Sequence, residues 1–563
     1  MKKLSLLFFF VACLTTAHSQ LLPPDEQWVE QTLGSMTLDE KIGQLFVPVH
    51  TTMDRTSAWI RDNHIGGLWF ARVEAKAIAA ELNALQQISK VPLLVTVDFE
   101  KGAGTYVDGA TDFPINMALG ASRDPDLVYQ AATVTAREAR ALGVHVNFAP
   151  VMDVNNNPKN PVINTRSYGE NPRLVATLAE AAIRGYQDHG LLATGKHFPG
   201  HGNTGTDSHA HLGVVSSDRQ EFESVELLPY KEVLQRSKPS AIMTAHLWIR
   251  AVDNDTIPAT LSPNAMSGLL RQRFNFDGVI YTDAMVMGGI TTRYPYDVAT
   301  VKAIQAGCDV ILFPGNLEQG ILAIKNALVN GNLSEQRIEE SVRRILRSKT
   351  QVGLQQHRIV EIPHIESLVG TAEHYAVAKR VAAACLTLAK DTGNLIPIPV
   401  AKKILVLTMS NKEGNSMVSR GLVSFPEEVR KHAASVNELQ LSDSLRNEEV
   451  ESALIKAREA DIVLVGAYVK IVLNSGTVDL PAHQTSFLKQ LTDRNPSTIL
   501  VSFGNPYIGA SVPFIPTYVC AYDNARVLQE TAAEALFGKS PFRGKLPVTV
   551  GGTMNYGGGI QTR

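Results

Sequence analysis

The densest set of residues able to do chemistry lies between positions 195 and 211. Four glycines in this segment predict a mobile loop of the kind that carries an acid/base group. Asp207 and His209 are two residues apart, so the carboxylate can orient the imidazole and raise its pKa towards that of a general acid/base near neutral pH. A separate carboxylate, Asp283, ends an apolar run and is a candidate nucleophile. The pattern predicts covalent catalysis with acid–base assistance.

Other polar residues recur wherever an apolar run ends. These strand-end residues are Asp98, Glu100, Asp153, Asn155, Lys196, His197, His246 and Asp283. Any one of them has a simpler interpretation, since an Asp after a strand is often a helix cap and a single His is often a core residue. Charged groups at five consecutive strand ends would destabilise the fold with no compensating benefit unless they form a functional site.

The elements that must position these residues divide the chain into two units. Eight apolar runs alternate with amphipathic stretches in the first unit, at 42–49, 65–70, 93–99, 144–154, 192–197, 241–249, 278–283 and 309–313. Near-continuous apolar runs indicate strands buried on both faces, as in a parallel sheet covered by helices. Helices are predicted between them, including 73–89, 125–142, 172–189, 222–236 and 263–274. We therefore expect a (β/α)8 TIM-type barrel over residues 27–350.

A linker over residues 351–370 is expected to precede the second unit. Residues 371–563 contain apolar strands at 403–408, 461–469, 498–503 and 517–521, with helical patterns at 372–388, 448–460, 484–493 and 525–537. This alternation predicts an α/β sandwich as the C-terminal domain.

Charge and the N-terminal residues limit the partners and the location. With 53 Lys and Arg against 55 Asp and Glu, the net charge of −2 provides no basic field for nucleic acid. Residues 1–19 combine Lys2 and Lys3 with a short apolar run and a small-residue cleavage site, which predicts a signal peptide and export to the periplasm or medium. Lipid anchoring through Cys13 is an alternative. The apolar run is too short to span a bilayer, so no transmembrane segment is expected.

The loop motif resembles a known family. Residues 196–202, Lys-His-Phe-Pro-Gly-His-Gly, followed by Asp-Ser-His at 207–209, are similar to the signature of glycoside hydrolase family 3, in its β-N-acetylglucosaminidase branch. Further similar segments are 149–155, 160–169, 244–246, 277–283, 535–538 and 544–548. The resemblance covers nearly the whole chain after the predicted signal peptide and implies the two-domain form of the family.

The resemblance implies a retaining exo-β-N-acetylglucosaminidase that uses neither metal nor cofactor. Asp283 would attack the anomeric carbon, and His209, paired with Asp207, would protonate the leaving oxygen and then activate water. The residues expected to bind the terminal sugar are Asp98, Arg166, Lys196, His197, Asp153 and His246. The substrate would be an amino-sugar oligosaccharide, either a peptidoglycan fragment or a chitooligosaccharide. The sequence indicates no oligomeric state.

Two departures from the family pattern leave alternatives open. The loop 98–106 lacks both arginines of the usual Asp-x-Glu-Gly-Gly-Arg-Val-x-Arg motif, and Lys101 is the one candidate to replace their charge. Asn164 stands where glycine is usual, next to the loop that holds Arg166. The changed loop 98–106 makes a catalytically silent sugar-binding envelope protein conceivable. Two further alternatives are independent of the departures: a GlcNAc phosphorylase, because an imidazole does not repel phosphate, and a metal-dependent amidohydrolase, whose ligand types would be His209, His211, Lys196, His246 and Asp283.

Overall fold

The structure is a computed structural model that describes residues 23–71, 73–411, 423–469 and 478–563. The predicted signal peptide and Cys13 lie outside the described residues. Within them, no helix has the length and apolar content needed to cross a bilayer.

The first domain is a closed barrel of eight parallel strands. The strands are β1 (Phe46–Val47), β2 (Gly67–Trp69), β3 (Leu94–Val97), β4 (Val146–Asn147), β5 (Leu192–Phe198), β6 (Ala241–Thr244), β7 (Val279–Tyr281) and β8 (Ile311–Leu312). Strands β2 to β7 pair in chain order, and β1 pairs with β8 through Phe46 and Ile311. Single bridges join Val49 to Trp69 and Tyr281 to Val310, which complete the ring. The predicted fold class is confirmed.

Helices surround the barrel and begin at residues suited to that position. Asp124 and Asn171 cap helices whose first residue is proline, where a missing N–H costs nothing. The α-helices are Pro24–Ser35, Leu38–Gly43, Met53–Asn63, Ala75–Ile88, Asn116–Ser122, Pro125–Ala141, Pro172–Gln187, Arg219–Ser224, Leu228–Arg236, Gly288–Thr291, Tyr296–Ala306, Leu317–Val329 and Glu335–Gln351.

Some elements differ from their predicted form. The predicted helix 222–236 is two helices that meet at Val225–Leu227, and the predicted helix 263–274 is a π-helix, Asn264–Arg273. The run 241–249 is also broken, because Leu247–Ile249 leaves the barrel and pairs with Gly213–Val215 on the loop that carries the candidate acid/base. An apolar run alone does not show where a strand leaves its sheet.

The second domain is a six-stranded sheet between helices. Its strands are β9 (Thr387–Asp391), β10 (Lys403–Ser410), β11 (Ser435–Gln440), β12 (Ile462–Tyr468), β13 (Thr498–Ser502) and β14 (Thr517–Cys520), in the order β9-β14-β13-β12-β10-β11. Only β9 runs antiparallel to its neighbour. The α-helices are Ala372–Cys385, Phe425–Arg430, Asn447–Glu459, Ala482–Arg494, Ile508–Ser511 and Arg526–Leu536. The two edge strands, β9 and β11, were not predicted, because both contain polar and charged residues and β11 is largely exposed.

The two domains are connected by polar contacts as well as by the chain. After the last barrel helix, short turns and the helix Ile365–Leu368 lead to helix Ala372–Cys385, which packs on Asn116–Ser122 of the barrel. The buried carboxylate of Glu138 lies 2.8 Å from His374 Nδ1 and accepts the backbone N–H of Gly370. The second domain is therefore joined to the barrel by buried, satisfied polar groups.

Candidate active site

A cavity of about 290 Å³ opens at the carboxyl ends of the barrel strands. This is the end at which the loops of a (β/α)8 barrel converge. The side chains that line the cavity include Trp69, Asp98, Glu100, Tyr106, Arg166, Lys196, His197, His201, Ser208, His209, Asp283 and Phe313. Of the nine residues predicted from the sequence, Asp98, Arg166, Lys196, His197, His209 and Asp283 are cavity-lining, while Asp207, Asp153 and His246 lie behind them.

Asp283 follows β7 and presents a carboxylate to this cavity. Its Oδ1 accepts the backbone N–H of Ala284 at 2.7 Å. Burial by itself raises the pKa of Asp283, but the charges of the neighbouring imidazoles and the Ala284 N–H outweigh it and hold the pKa below its ordinary value. Asp283 is therefore ionised at neutral pH, as a carboxylate nucleophile must be.

His246 supports the segment that carries Asp283 through a hydrogen bond to the next residue, Ala284. It is completely buried, with Nε2 donating to the carbonyl of Ala284 at 3.1 Å and Nδ1 2.8 Å from Thr260 Oγ1. Burial lowers the pKa of His246, so the ring is neutral at pH 7. The expectation that His246 contacts the sugar is corrected here, because both ring nitrogens are occupied and the ring does not reach the cavity.

His209 is oriented by Asp207, as its spacing predicts. Oδ1 of Asp207 lies 2.9 Å from His209 Nδ1 and also accepts the backbone N–H of His209 at 2.9 Å. The double contact fixes the ring and leaves Nε2 as the nitrogen that can exchange a proton with a ligand. The pair has the geometry of a general acid/base held by a carboxylate.

The loop bearing His209 is docked on the segment that follows Asp283. The backbone amides of Gly288 and Gly289 donate to the carbonyls of His209 and Ser208 at 2.8 and 3.0 Å. A Cβ at Gly288 would lie 2.2 Å from the carbonyl oxygen of Ala210, so only glycine permits this approach. On the other side of the loop, His201 Nε2 lies 2.8 Å from Ser208 Oγ, and burial lowers the pKa of His201 to about 4.

A buried network of ion pairs forms the opposite wall. Lys196 donates to Asp98 Oδ1 and Glu100 Oε1, each at 2.7 Å. Arg166 donates to both oxygens of Glu100, at 2.7 and 3.0 Å. Trp69 Nε1 donates to Asp98 Oδ2 at 2.9 Å. Burial opposes the charge of Glu100, yet Arg166 and Lys196 prevail and keep the pKa of Glu100 well below its ordinary value.

Asp153 does not line the cavity next to His197 but holds the His197 ring in place. His197 Nδ1 lies 2.7 Å from Asp153 Oδ2, and Asp153 Oδ1 accepts the backbone N–H of His201 at 2.7 Å. Asp153 is completely buried. Its expected contact with the sugar is therefore corrected to a positioning role, in which it presents His197 to the cavity.

The two unusual positions have separate explanations. Lys101 does not replace the missing arginines, because its ammonium pairs with Asp523 of the second domain at 2.6 Å and with Asp112 at 3.4 Å. Asn164 adopts a φ of +38°, in the left-handed region where glycine is favoured and asparagine is among the residues tolerated. The loop before Arg166 thus keeps the conformation that a glycine would give it.

Sequence comparison decides which family this site belongs to. The description "Glycosyl hydrolase family 3 N terminal domain" matches residues 37–348, and "Glycosyl hydrolase family 3 C-terminal domain" matches residues 386–559. The chain belongs to glycoside hydrolase family 3. This confirms the resemblance found in the loop motif and identifies the protein as a glycoside hydrolase.

Individual relatives of this family 3 chain are named for action on N-acetylglucosaminides and on glucosides. A β-N-acetylglucosaminidase/β-glucosidase of Cellulomonas fimi is 31% identical over 95% of this chain and 98% of its own. A solved family 3 β-N-acetylglucosaminidase from Paenibacillus sp. str. FPU-7 has a TM-score of 0.84, with 34% identity over 91% of this chain and 99% of its own. A β-glucoside phosphorylase bound to 2FGlc has a TM-score of 0.85, with 28% identity over 94% of this chain and 97% of its own.

Family membership favours the glycosidase prediction over the amidohydrolase and the silent sugar-binding protein. Among the residues that the structure describes, no three His, Cys, Asp or Glu side chains are grouped as metal ligands. The sequence-based prediction of the family 3 site did not include Glu100 among the sugar-binding residues, although Glu100 lines the cavity and follows a strand end like the others. It also overlooked Trp69 and Phe313, which end β2 and follow β8. Strand-end position was the signal that could have found all three.

Proposed function

We propose that the protein is a retaining exo-β-N-acetylglucosaminidase. The observation that carries the proposal is that Asp283 and His209 line one cavity, with His209 held at Nδ1 by Asp207. A carboxylate and a protonatable imidazole in one pocket supply the two groups that a double displacement at an anomeric carbon requires.

In the first step, an oxygen of Asp283 forms a bond to the anomeric carbon as the bond to the leaving oxygen breaks. His209, as the imidazolium stabilised by Asp207, donates its Nε2 proton to that oxygen. In the second step, the neutral Nε2 takes a proton from water as the water oxygen displaces Asp283. The two inversions leave the β configuration unchanged, and His209 regains its proton.

The ion-pair wall is suited to binding a sugar. Lys196 and Arg166 are cationic donors, while Asp98 and Glu100 are acceptors. The wall can therefore both donate hydrogen bonds to sugar hydroxyl groups and accept hydrogen bonds from them. A cavity of about 290 Å³ fits one terminal sugar better than the interior of a chain, which supports exo action. We propose amino-sugar oligosaccharides from peptidoglycan or chitin as the substrate class.

Phosphorolysis is a second candidate, and a specific observation favours it. The acid/base is a histidine, and a neutral imidazole does not repel an approaching phosphate as a carboxylate would. The similarity to a β-glucoside phosphorylase over 94% of this chain supports testing it. The first step is unchanged, and phosphate would then displace Asp283 in place of water.

One experiment tests both candidates. The wild-type protein and Asp283→Asn are assayed for release of p-nitrophenol from its β-N-acetylglucosaminide, with phosphate varied, and the products are identified by mass spectrometry. We expect turnover by the wild type, loss of turnover in D283N, and GlcNAc as the product. GlcNAc 1-phosphate would establish phosphorolysis instead, and undiminished turnover by D283N would refute the nucleophile.

We also propose that the protein is exported. The proposal depends on residues 1–19 alone and is tested by fractionating cells that express the full chain and Cys13→Ala. Release of only the C13A protein from the membrane fraction would establish lipid anchoring. Retention of both proteins in the cytoplasm would refute export.

A further inference from the structure

Three polar contacts made by the second domain end within four residues along the chain of Glu100, Asp153 or Arg166. Asp523 pairs with Lys101, Tyr507 bonds to Asn155, and the segment 547–549 bonds to Glu170. We name these the clamp contacts. From them we propose that the second domain positions the sugar-binding side of the site, while the catalytic pair, Asp283 and His209, is held through the described hydrogen bonds to barrel residues. The proposal deepens the proposed function and takes its sugar-binding residues from it.

The first clamp contact adjoins Glu100. Lys101 is only 4% exposed and Asp523 only 3%, so the 2.6 Å ion pair between them is shielded from water. Burial lowers the pKa of Lys101, but Asp112 and Asp523 raise it by more, so the ammonium stays charged. Separating a buried charge from its partner carries a large cost in free energy. Lys101 therefore fixes the backbone beside Glu100, whose carboxylate holds both Arg166 and Lys196.

The second clamp contact reaches the segment after β4. Asn155 Nδ2 donates to the hydroxyl oxygen of Tyr507 at 2.9 Å. Asn155 lies two residues after Asp153, which holds His197, and its backbone N–H donates to the carbonyl of Gly169 at 2.9 Å. One tyrosine hydroxyl of the second domain thus supports the segment that presents His197.

The third clamp contact joins Glu170 of the barrel to the segment 547–549. The backbone N–H of Glu170 donates to the carbonyl of Pro547 at 3.1 Å, and its carboxylate accepts both the N–H and the hydroxyl of Thr549 at 2.7 Å. A Cβ at Gly169 would lie 2.4 Å from the Pro547 carbonyl oxygen, so the two backbones are in close contact there. Glu170 is four residues after Arg166.

The catalytic pair has different neighbours. The hydrogen-bond partners described above for Asp283, His209 and the His209 loop are Ala284, Asp207, Gly288, Gly289 and His201, all of them barrel residues. Loosening the clamp contacts should therefore weaken sugar binding more than it slows the chemical step.

Tyr507→Phe is the mildest test, because it removes one hydroxyl and leaves the ring. The matched control is Tyr468→Phe, which removes a buried hydroxyl bonded at 2.7 Å to Gln529 inside the second domain. We expect Y507F to raise the inhibition constant of GlcNAc roughly five-fold, the effect of one buried hydrogen bond, with kcat nearly unchanged. Y468F should change neither constant, whatever it does to the melting temperature.

Amide hydrogen exchange supplies a readout that needs no substrate. In Asp523→Asn and Y507F, exchange should become faster in residues 98–106 and 153–170 and stay unchanged in residues 279–290. Unchanged exchange in the first two segments would overturn the inference even if the wild type is active. Faster exchange there in a protein that shows no turnover of GlcNAc glycosides would overturn the proposed function and leave the inference standing.

Discussion

The backbone amide of Gly288 donates a 2.8 Å hydrogen bond to the carbonyl of His209. Gly288 follows Asp283 by five residues, so the loop with the proposed acid/base rests directly on the segment with the proposed nucleophile. Retaining glycosidases need their two catalytic groups at a fixed separation across the scissile bond. Here a backbone contact, rather than side-chain packing, ties their two loops together.

Gly288→Ala tests this connection. The added methyl group would lie 2.2 Å from the carbonyl of Ala210, so the loop must move away. Because small displacements of catalytic groups are costly, we expect kcat to fall about 100-fold with little change in the inhibition constant of GlcNAc. Gly34→Ala is the control, since nothing lies within 4 Å of that position. Full kcat in G288A would show that the docking is dispensable.

His209→Ala should separate the two chemical steps. We expect kcat to fall about 10²- to 10⁴-fold. With an activated leaving group, the glycosyl-enzyme should accumulate and be visible by intact mass spectrometry. Azide should restore turnover, because an anionic nucleophile needs no base. His211→Ala is the control: it alters an exposed histidine of the same loop and should behave as the wild type. Equal losses in both variants would argue against the assignment.

Glu100→Gln should weaken both folding and binding. The change leaves Arg166 without its paired carboxylate and Lys196 with Asp98 alone, and breaking a buried ion pair costs about 3 to 5 kcal/mol. We expect a lower free energy of unfolding in denaturant titrations and a higher inhibition constant for GlcNAc. Glu223→Gln breaks an exposed ion pair with Arg273 and should cost less than about 1 kcal/mol. Similar losses in the two variants would contradict the structural role of Glu100.

Asp112 should make stability depend on pH at the domain interface. Burial, together with the charge of Asp523, raises the pKa of Asp112 from 3.8 to about 6 against the opposing effect of Lys101. Between these values the folded carboxyl binds more protons than the unfolded one, so its contribution to stability falls as pH rises and its cost is complete above about pH 6.

Asp112→Asn removes this cost. The variant should melt above the wild type at pH 7, and the difference should shrink as the pH is lowered through 6 towards 4. Asp255→Asn, at an exposed position, should show no such trend. A melting difference that does not change with pH would contradict the raised pKa.

The sequence indicated the barrel because burial on both faces requires uninterrupted apolar runs, and all eight predicted runs overlap a barrel strand. It indicated the dyad of Asp207 and His209 because the two residues are close along the chain and their contact is local. The edge strand β11 left no such signal, because its side chains need not be apolar when they face water.

Which polar residues line the cavity and which support it could not be predicted in the same way. Asp153 and His246 follow strands just as Asp98 and Asp283 do. Position in the sequence does not distinguish a side chain that lines the cavity from a buried side chain that supports it. Lys101 is the clearest case. Its neighbour Glu100 faces Arg166, whereas Lys101 pairs with Asp523, 422 residues later in the chain.

The sequence by itself determined the alternation of strands and helices in the barrel, the chemistry available at the strand ends and the dyad on the loop. These depend on local periodicity and short spacings, which the chain carries without folding. Only the tertiary structure decided which partner each charged group faces, the docking of His209 on Gly288 and the contacts of the second domain beside the ion-pair wall. These depend on where distant segments meet, because a buried charge must point to whatever partner the fold provides.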